Sequence, residues 1–130
     1  MKYRNFVQLC GEVVDDPKIH VFDSGSNVKR VTIKTVDSWK DKKTKEWNHF
    51  SSFHKVCLFN FESDVVKGDC LFVEGSLQTR KYLDDKTGKD TYITEVIVKN
   101  HLGSVYFIAQ DSLSMEVSSP GDFGNNEAPF

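Results

Sequence analysis

Apolar and polar residues alternate along most of this chain in short runs, separated by clusters of Gly, Pro, Asn, Asp and Ser. A period of two with such punctuation predicts strands and turns. Asn5–Val14 is the first strand, with Gly11 in its interior marking a bulge or tight bend. Asp15-Asp16-Pro17 breaks it, Lys18–Phe22 is a short strand, and Asp23–Asn27 is a turn. Val28–Asp37 alternates cleanly, with Val31, Ile33 and Thr35 on one side and Arg30, Thr32 and Lys34 on the other. Trp47–Cys57 reads as the next strand, which puts Trp47, His49, Ser51 and Phe53 on one face. In Cys70–Leu77 the residues Leu71, Val73 and Leu77 share a face, and Gly75 lets a curved strand bend. Gln78–Leu83 continues outward, Asp84–Lys89 is a hairpin turn with Gly88, Asp90–Asn100 returns, and Val105–Ala109 is a last short strand. One stretch departs from the period of two. From His54 to Val66 the residues Val56, Cys57, Phe59, Phe61, Val65 and Val66 make an imperfect helical stripe, which predicts the chain's single helix.

Strands with Gly-marked bends and one short helix before the fourth long strand fit an all-β OB-fold, a five-stranded Greek-key barrel. The expected barrel domain is residues 1–109. From Gln110 the chain turns to Ser, Gly, Pro, Asn and acids, so residues 110–130 are expected to form a disordered acidic tail ending in Ala-Pro-Phe. The 130 residues suit one domain plus such a tail. Cys10, Cys57 and Cys70 are widely spaced and make neither a disulfide framework nor a CxxC zinc pair, which suits a reducing compartment. Neither a secretory leader nor a run of ~20 apolar residues is visible, so the expected location is the cytoplasm, away from membranes.

Net charge is −2, which by itself argues against a nucleic-acid binder, but the charge is unevenly spread. Between Val28 and Lys55 there are 8 basic and 3 acidic residues, and from Ala109 to the end 4 acids and no base. The basic stretch also holds Trp39, Trp47 and Phe53 among Lys40, Lys42, Lys43, Lys45 and Lys55. Bases stack on such rings and lysines meet phosphates, the arrangement that unpaired nucleic acid requires. The competing reading places the same rings in the core. A catalytic reading has little to work with. Asp15-Asp16 and Asp84-Asp85 are turn formers, and His20, His49, His54 and His101 are scattered. No nucleophile elbow, P-loop or metal-ligand spacing appears, so neither catalysis nor a metal nor a cofactor is expected.

Six segments carry a resemblance: LCGEVVDDPKI (9–19, loosely), DSWKDK (37–42), TKEW (44–47), VKGDCLFVEGSLQTRKY (66–82), TYITEVIV (91–98) and the final Ala-Pro-Phe (128–130, loosely). In that order they resemble the bacterial single-stranded DNA-binding proteins of the homotetrameric OB-fold type. The resemblance implies base stacking at Trp39, Trp47, Phe53 and Tyr82, where Tyr82 replaces the family's usual Trp. It implies polar and cationic contacts at His49, Lys55, Lys67, Arg80 and Lys81, to which the basic turn adds Lys42 and Lys43. Compared with a relative that has Arg there, the His49 contact would be weaker; Asn48 stands where the family commonly has His near the subunit interface, and Ser52 where an apolar residue is usual. The function expected is sequence-tolerant binding of single-stranded DNA, protecting unpaired strands in replication, recombination and repair. The expected assembly is a tetramer built on spare apolar surface at Phe6, Val7, Val13 and Phe72. DNA-maintenance proteins are expected to dock on Pro129 and Phe130. A single-stranded RNA binder and an OB-fold adaptor for proteins are the alternatives at this stage.

Overall fold

The structure is a computed structural model, and it describes residues 2–99 and 103–108. Seven strands follow in order: β1 (Val7–Val13), β2 (Lys18–Val21), β3 (Asn27–Lys40), β4 (Trp47–Phe59), β5 (Cys70–Leu83), β6 (Asp90–Val98) and β7 (Ser104–Ile108). The sheet runs β1-β3-β4-β6-β5, and β1 also pairs with β5, which closes a five-stranded barrel. β2 adds to the outer edge of β3, and β7 adds to β5. Closure removes the open edges that such a sheet would otherwise expose.

The alternation seen in the sequence sets the core. Val31 and Ile33 on β3, Val56 and Leu58 on β4, Leu71 and Val73 on β5, and Val96 and Val98 on β6 all point into the barrel, with Val13 from β1. Val13 and Val7, expected as spare surface, belong to this core or pack against it. Phe6 stays exposed, and Phe72 stacks obliquely on Tyr106 outside the β5–β7 pair. Gly75 is required less by a bend than by close approach, because a Cβ there would collide with the Ile97 carbonyl on β6.

The helix expected over His54–Val66 does not form. His54–Phe59 completes β4, and the chain then turns through Asn60, which adopts a positive φ of 56°. The stripe was misleading because β4 is buried on both sides here. Val56 and Leu58 face the barrel, while Cys57 packs with Val28 and Ile97 outside it. A strand apolar on both faces has no period of two to read. The loop that follows is held by carboxylates, one of its own and one from the β1–β2 turn: the Val66 N–H donates to Asp69 Oδ2 (2.9 Å) and the Lys67 N–H to Asp16 Oδ1 (3.0 Å).

Two hairpins outgrow the barrel. β3 and β4 pair without interruption from Val28 opposite Phe59 to Lys40 opposite Trp47. β5 and β6 pair from Ser76 opposite Ile97 to Leu83 opposite Asp90. The two hairpins are hydrogen-bonded to each other where Val56–Leu58 runs parallel to Val96–Val98; beyond that pairing each continues as an arm, and residues of both line common clefts.

Candidate nucleic-acid interface

The basic segment at the tip of the β3–β4 arm is a tight turn. The Asp41 N–H donates to the Glu46 carbonyl (2.8 Å), and the Lys45 N–H donates to the Asp41 carbonyl (2.9 Å). Asp41 Oδ1 also accepts the Lys43 N–H (2.7 Å) and the Thr44 N–H (3.1 Å). Those bonds from Thr44 and Lys43 hold the Asp41 carboxyl below its ordinary range. Lys42 and Lys43 are both exposed on this turn.

The register decides which side chains share a face, because directly opposed residues of an antiparallel pair project together. On the outer face of the arm, Trp47 lies opposite Lys40, His49 opposite Ser38, Phe53 opposite Lys34, and Lys55 opposite Thr32. Phe53 is 62% exposed, and Trp47 is half-buried. His49 Nδ1 lies 2.7 Å from Ser38 Oγ, which orients the ring. The expected grouping of Trp47, His49, Ser51 and Phe53 on one face therefore holds, and Lys55 continues it. The same face continues down the barrel wall to Phe59, which packs against Val28 and Cys57.

Trp39 departs from this group. It lies opposite Asn48, in phase with Val31 and Ile33, so the two tryptophans leave opposite faces of the ribbon. With Trp39 on that second face are Phe50 opposite Asp37, Ser52 opposite Thr35, and His54, whose Nε2 is 2.8 Å from Thr35 Oγ1. Within the paired strands this face carries Asp37 and no lysine or arginine beyond the barrel.

On the second arm, Arg80 and Tyr82 project together from the outer side of β5, with the Arg80 guanidinium 5.8 Å from the Tyr82 ring centre. Lys81 projects from the other side, opposite Tyr92. Both cations already hold a carboxylate. Arg80 Nε donates to Glu95 Oε1 (2.7 Å), and Lys81 Nζ is 3.0 Å from Asp90 Oδ2. The Lys81 pair is exposed on both sides and therefore weak. The Arg80 pair is firmer, since Glu95 is buried and takes the Cys57 thiol on its other oxygen (3.3 Å). Burial pushes Glu95 upward. The hydrogen bonds from Arg80 and Cys57 and the charges of Arg80 and Arg30 outweigh it and hold the carboxyl below its ordinary range. Burial, then Glu95, push the Cys57 thiol up to about 11.

Between the arms and the barrel wall lies a cleft of about 260 Å³. Lys55 and Arg80, both expected site residues, line it. Lys67 sits at its rim, through its backbone bond to Asp16, which also lines the cleft. A neighbouring cleft is lined by Phe53, Lys55, Tyr92 and Ile93. The structure thus gathers Trp47, His49, Phe53, Lys55, Arg80 and Tyr82 along the outer surface, with Lys42, Lys43 and Lys67 at its margins. It separates Trp39 and Lys81 from them. Sequence reasoning placed Lys34 and Lys40 in the basic stretch without assigning them to the site; the register sets them opposite Phe53 and Trp47, with Lys34 also 3.8 Å from Glu12. Pro129 and Phe130 lie outside the described residues. Among the described residues no group of His, Cys, Asp and Glu is placed to hold a metal ion, and no helix is long and apolar enough to cross a membrane.

Residues 4–105 match the single-strand binding protein family. The chain is 37% identical to the single-stranded DNA-binding proteins of Rickettsia felis and Rickettsia prowazekii over 74% of its own length. It spans 66% of the length of these curated relatives. Among solved structures, it is similar to the Plasmodium falciparum SSB complex with ssDNA, with a TM-score of 0.72 and 27% identity over 84% of this chain and 98% of that one. A deletion mutant of the Thermus aquaticus single-stranded DNA binding protein has a TM-score of 0.65 at 21% identity, over 82% of this chain and 51% of that one, and shows the shared fold. With the closed barrel and the match across nearly all of its described residues, this chain belongs to the single-strand binding protein family.

Proposed function

We propose that this protein binds single-stranded DNA with little sequence preference, keeping unpaired strands from re-annealing and from nucleases during replication, recombination and repair. The observation that carries this reading is the outer face of the β3–β4 arm, where Trp47, His49 and Phe53 alternate with Lys34, Lys40 and Lys55. Bases stack on such rings with ~1–3 kcal/mol each, and every base has a π-face, so the surface tolerates sequence. Lys40, Lys43 and Lys55 meet phosphates. Arg80 acts more weakly than the sequence suggests, because its Nε is held by Glu95. Trp39 joins the same strand only where that strand passes round the edge of the arm. Tyr82 supplies a smaller ring beside the cleft.

The binding involves no chemistry on the strand. In the cytoplasm the protein works as a homo-oligomer, a tetramer by its likeness to the family, with exposed Phe6 and the Phe72–Tyr106 pair as apolar surface for a second copy. DNA-maintenance proteins dock at Pro129 and Phe130, the Phe ring entering a pocket while the chain-end carboxylate meets a cation.

The test is a titration against oligo-dT, the matching oligo-U and duplex DNA, followed by tryptophan fluorescence. Quenching by oligo-dT with much weaker binding of duplex is the expected result. Preferential binding of oligo-U would identify an RNA binder, and no binding to any of the three would leave the adaptor role.

A further inference from the structure

The cleft beside the barrel contains a row of cations that the family resemblance does not supply. Lys18 on β2 lies directly opposite Arg30 on β3, and Arg30 lies directly opposite Cys57 on β4. All three therefore project from the outer face, the same face as Phe53 and Lys55. Lys18, Arg30 and Lys55 all line the cleft of about 260 Å³, together with Arg80, Ile93, Asp15, Asp16 and Glu95. Adjacent strands are ~4.8 Å apart, so this row crosses the wall in steps that suit a chain of phosphates.

The charges in the cleft are not equivalent. Arg80 is held by Glu95, and the second Glu95 oxygen is held by the Cys57 thiol, so the cleft's one buried carboxylate is already satisfied. Asp16 accepts the Lys67 N–H. Among the described residues, no carboxylate pairs with Lys18, Arg30 or Lys55 within ion-pair distance, although Asp15 and Asp16 line the same cleft. Lys18 and Arg30 are both exposed, and Arg30 stands opposite Cys57 on the outer face of the barrel wall. Arg is the side chain best suited to phosphate, with donors in a rigid fork.

We propose that Lys18 and Arg30 form a second phosphate-binding row, which carries the single strand from the β3–β4 arm over the barrel wall onto β2. This rests on the single-stranded DNA reading above and extends its path. The strand stacks on Phe53 and Trp47, passes Lys55, and lays its backbone along Arg30 and Lys18. Asp15, at the edge of the same cleft, repels it and sets how firmly that end is held.

The test is the salt dependence of oligo-dT affinity for the full chain and for a Lys18→Gln/Arg30→Gln double variant, with thermal melting as the check on folding. Each phosphate contact contributes ~0.7 to the slope of log affinity against log salt for single strands, so the double variant should lose about 1.4. It should also bind more weakly at low salt, with the gap closing as salt rises. An unchanged slope in a folded double variant overturns the proposal while leaving the broader reading intact. A wild-type protein that fails to bind oligo-dT overturns the broader reading itself. If the double variant fails to fold, Asp15→Asn asks the same question from the other side. Tighter binding at low salt supports the row, and unchanged affinity overturns it.

Discussion

The two faces of the β3–β4 arm are made from the same two strands and the same register, yet they differ in kind. The outer face alternates rings with lysines: Trp47 opposite Lys40, Phe53 opposite Lys34, and Lys55 below them. The inner face begins in the barrel as Val31, Ile33, Val56 and Leu58, then emerges as Trp39, Asn48, Phe50 and Ser52, with Asp37 as its one Asp, Glu, Lys or Arg beyond the barrel. A shift of one residue exchanges core for ligand surface, because successive side chains of a strand leave opposite sides. The contrast teaches that exposure alone does not mark the site here. Phe50 and Phe53 are 58% and 62% exposed, yet Phe50 lies opposite Asp37, whereas Phe53 lies opposite Lys34, which also reaches Glu12 (3.8 Å), and shares its face with Lys55.

The largest expected effect lies on the inner face within the barrel. Ile33 is fully buried in the core, and Ile33→Ala should lower stability by about 2–5 kcal/mol in a chemical denaturation experiment. Single-strand affinity measured on the folded fraction should change little. A large loss of affinity with little loss of stability would break the division between the faces.

Next is the outer face. Trp47→Ala should weaken oligo-dT binding by about 1–3 kcal/mol, measured by titration, while melting changes little, since Trp47 is only half-buried beyond the barrel. A loss of stability approaching that of a core aromatic would place Trp47 with the inner face instead.

Lys55 sharpens the electrostatic side of the contrast. Lys55→Gln should lower the salt slope of oligo-dT binding by about 0.7, as expected for one lost phosphate contact. Asp37→Asn, on the inner face, should leave the slope as it is. Equal changes in slope for the two variants would mean that net charge matters and its placement does not.

How much of this was readable in advance follows from the same physics. Most strand positions and the shared faces of Val31 with Ile33 and of Leu71 with Val73 were legible, because one buried face imposes a period of two. The grouping of Trp47, His49 and Phe53 was legible for the same reason. The end of β4 was not, because Val56–Phe59 is apolar on both sides and imitates a helical stripe. The split between Trp39 and Trp47 needed the register across the turn, which fixes Trp39 opposite Asn48. The reduced role of Arg80 was also hidden, since its partner Glu95 arrives from the neighbouring strand and nothing in RKY announces it.

A smaller effect concerns the floor of the outer face. The Glu95 carboxyl is held below its ordinary range when folded, so it contributes stability above the unfolded carboxylate range and loses it as pH falls through the folded value. Glu95→Gln should flatten the acid limb of the stability profile. The Cys57 thiol is raised from 9.0 to about 11, so its contribution is complete below pH 9 and disappears as pH rises through about 11. Cys57 should accordingly resist thiol reagents at neutral pH until the protein unfolds. Rapid labelling of Cys57 in the native protein would show that this floor is open.

The central claim is that nucleic acid stacks on the outer face of the β3–β4 arm. Its most direct test is a pair of oligo-dT titrations, at one salt concentration, of Phe53→Ala and Phe50→Ala, which remove rings of the same kind and similar exposure from opposite sides of the same strand. Phe53→Ala should weaken binding by about 1–3 kcal/mol, and Phe50→Ala by less than about 0.5 kcal/mol. Equal losses, or a larger loss for Phe50→Ala, would contradict the account.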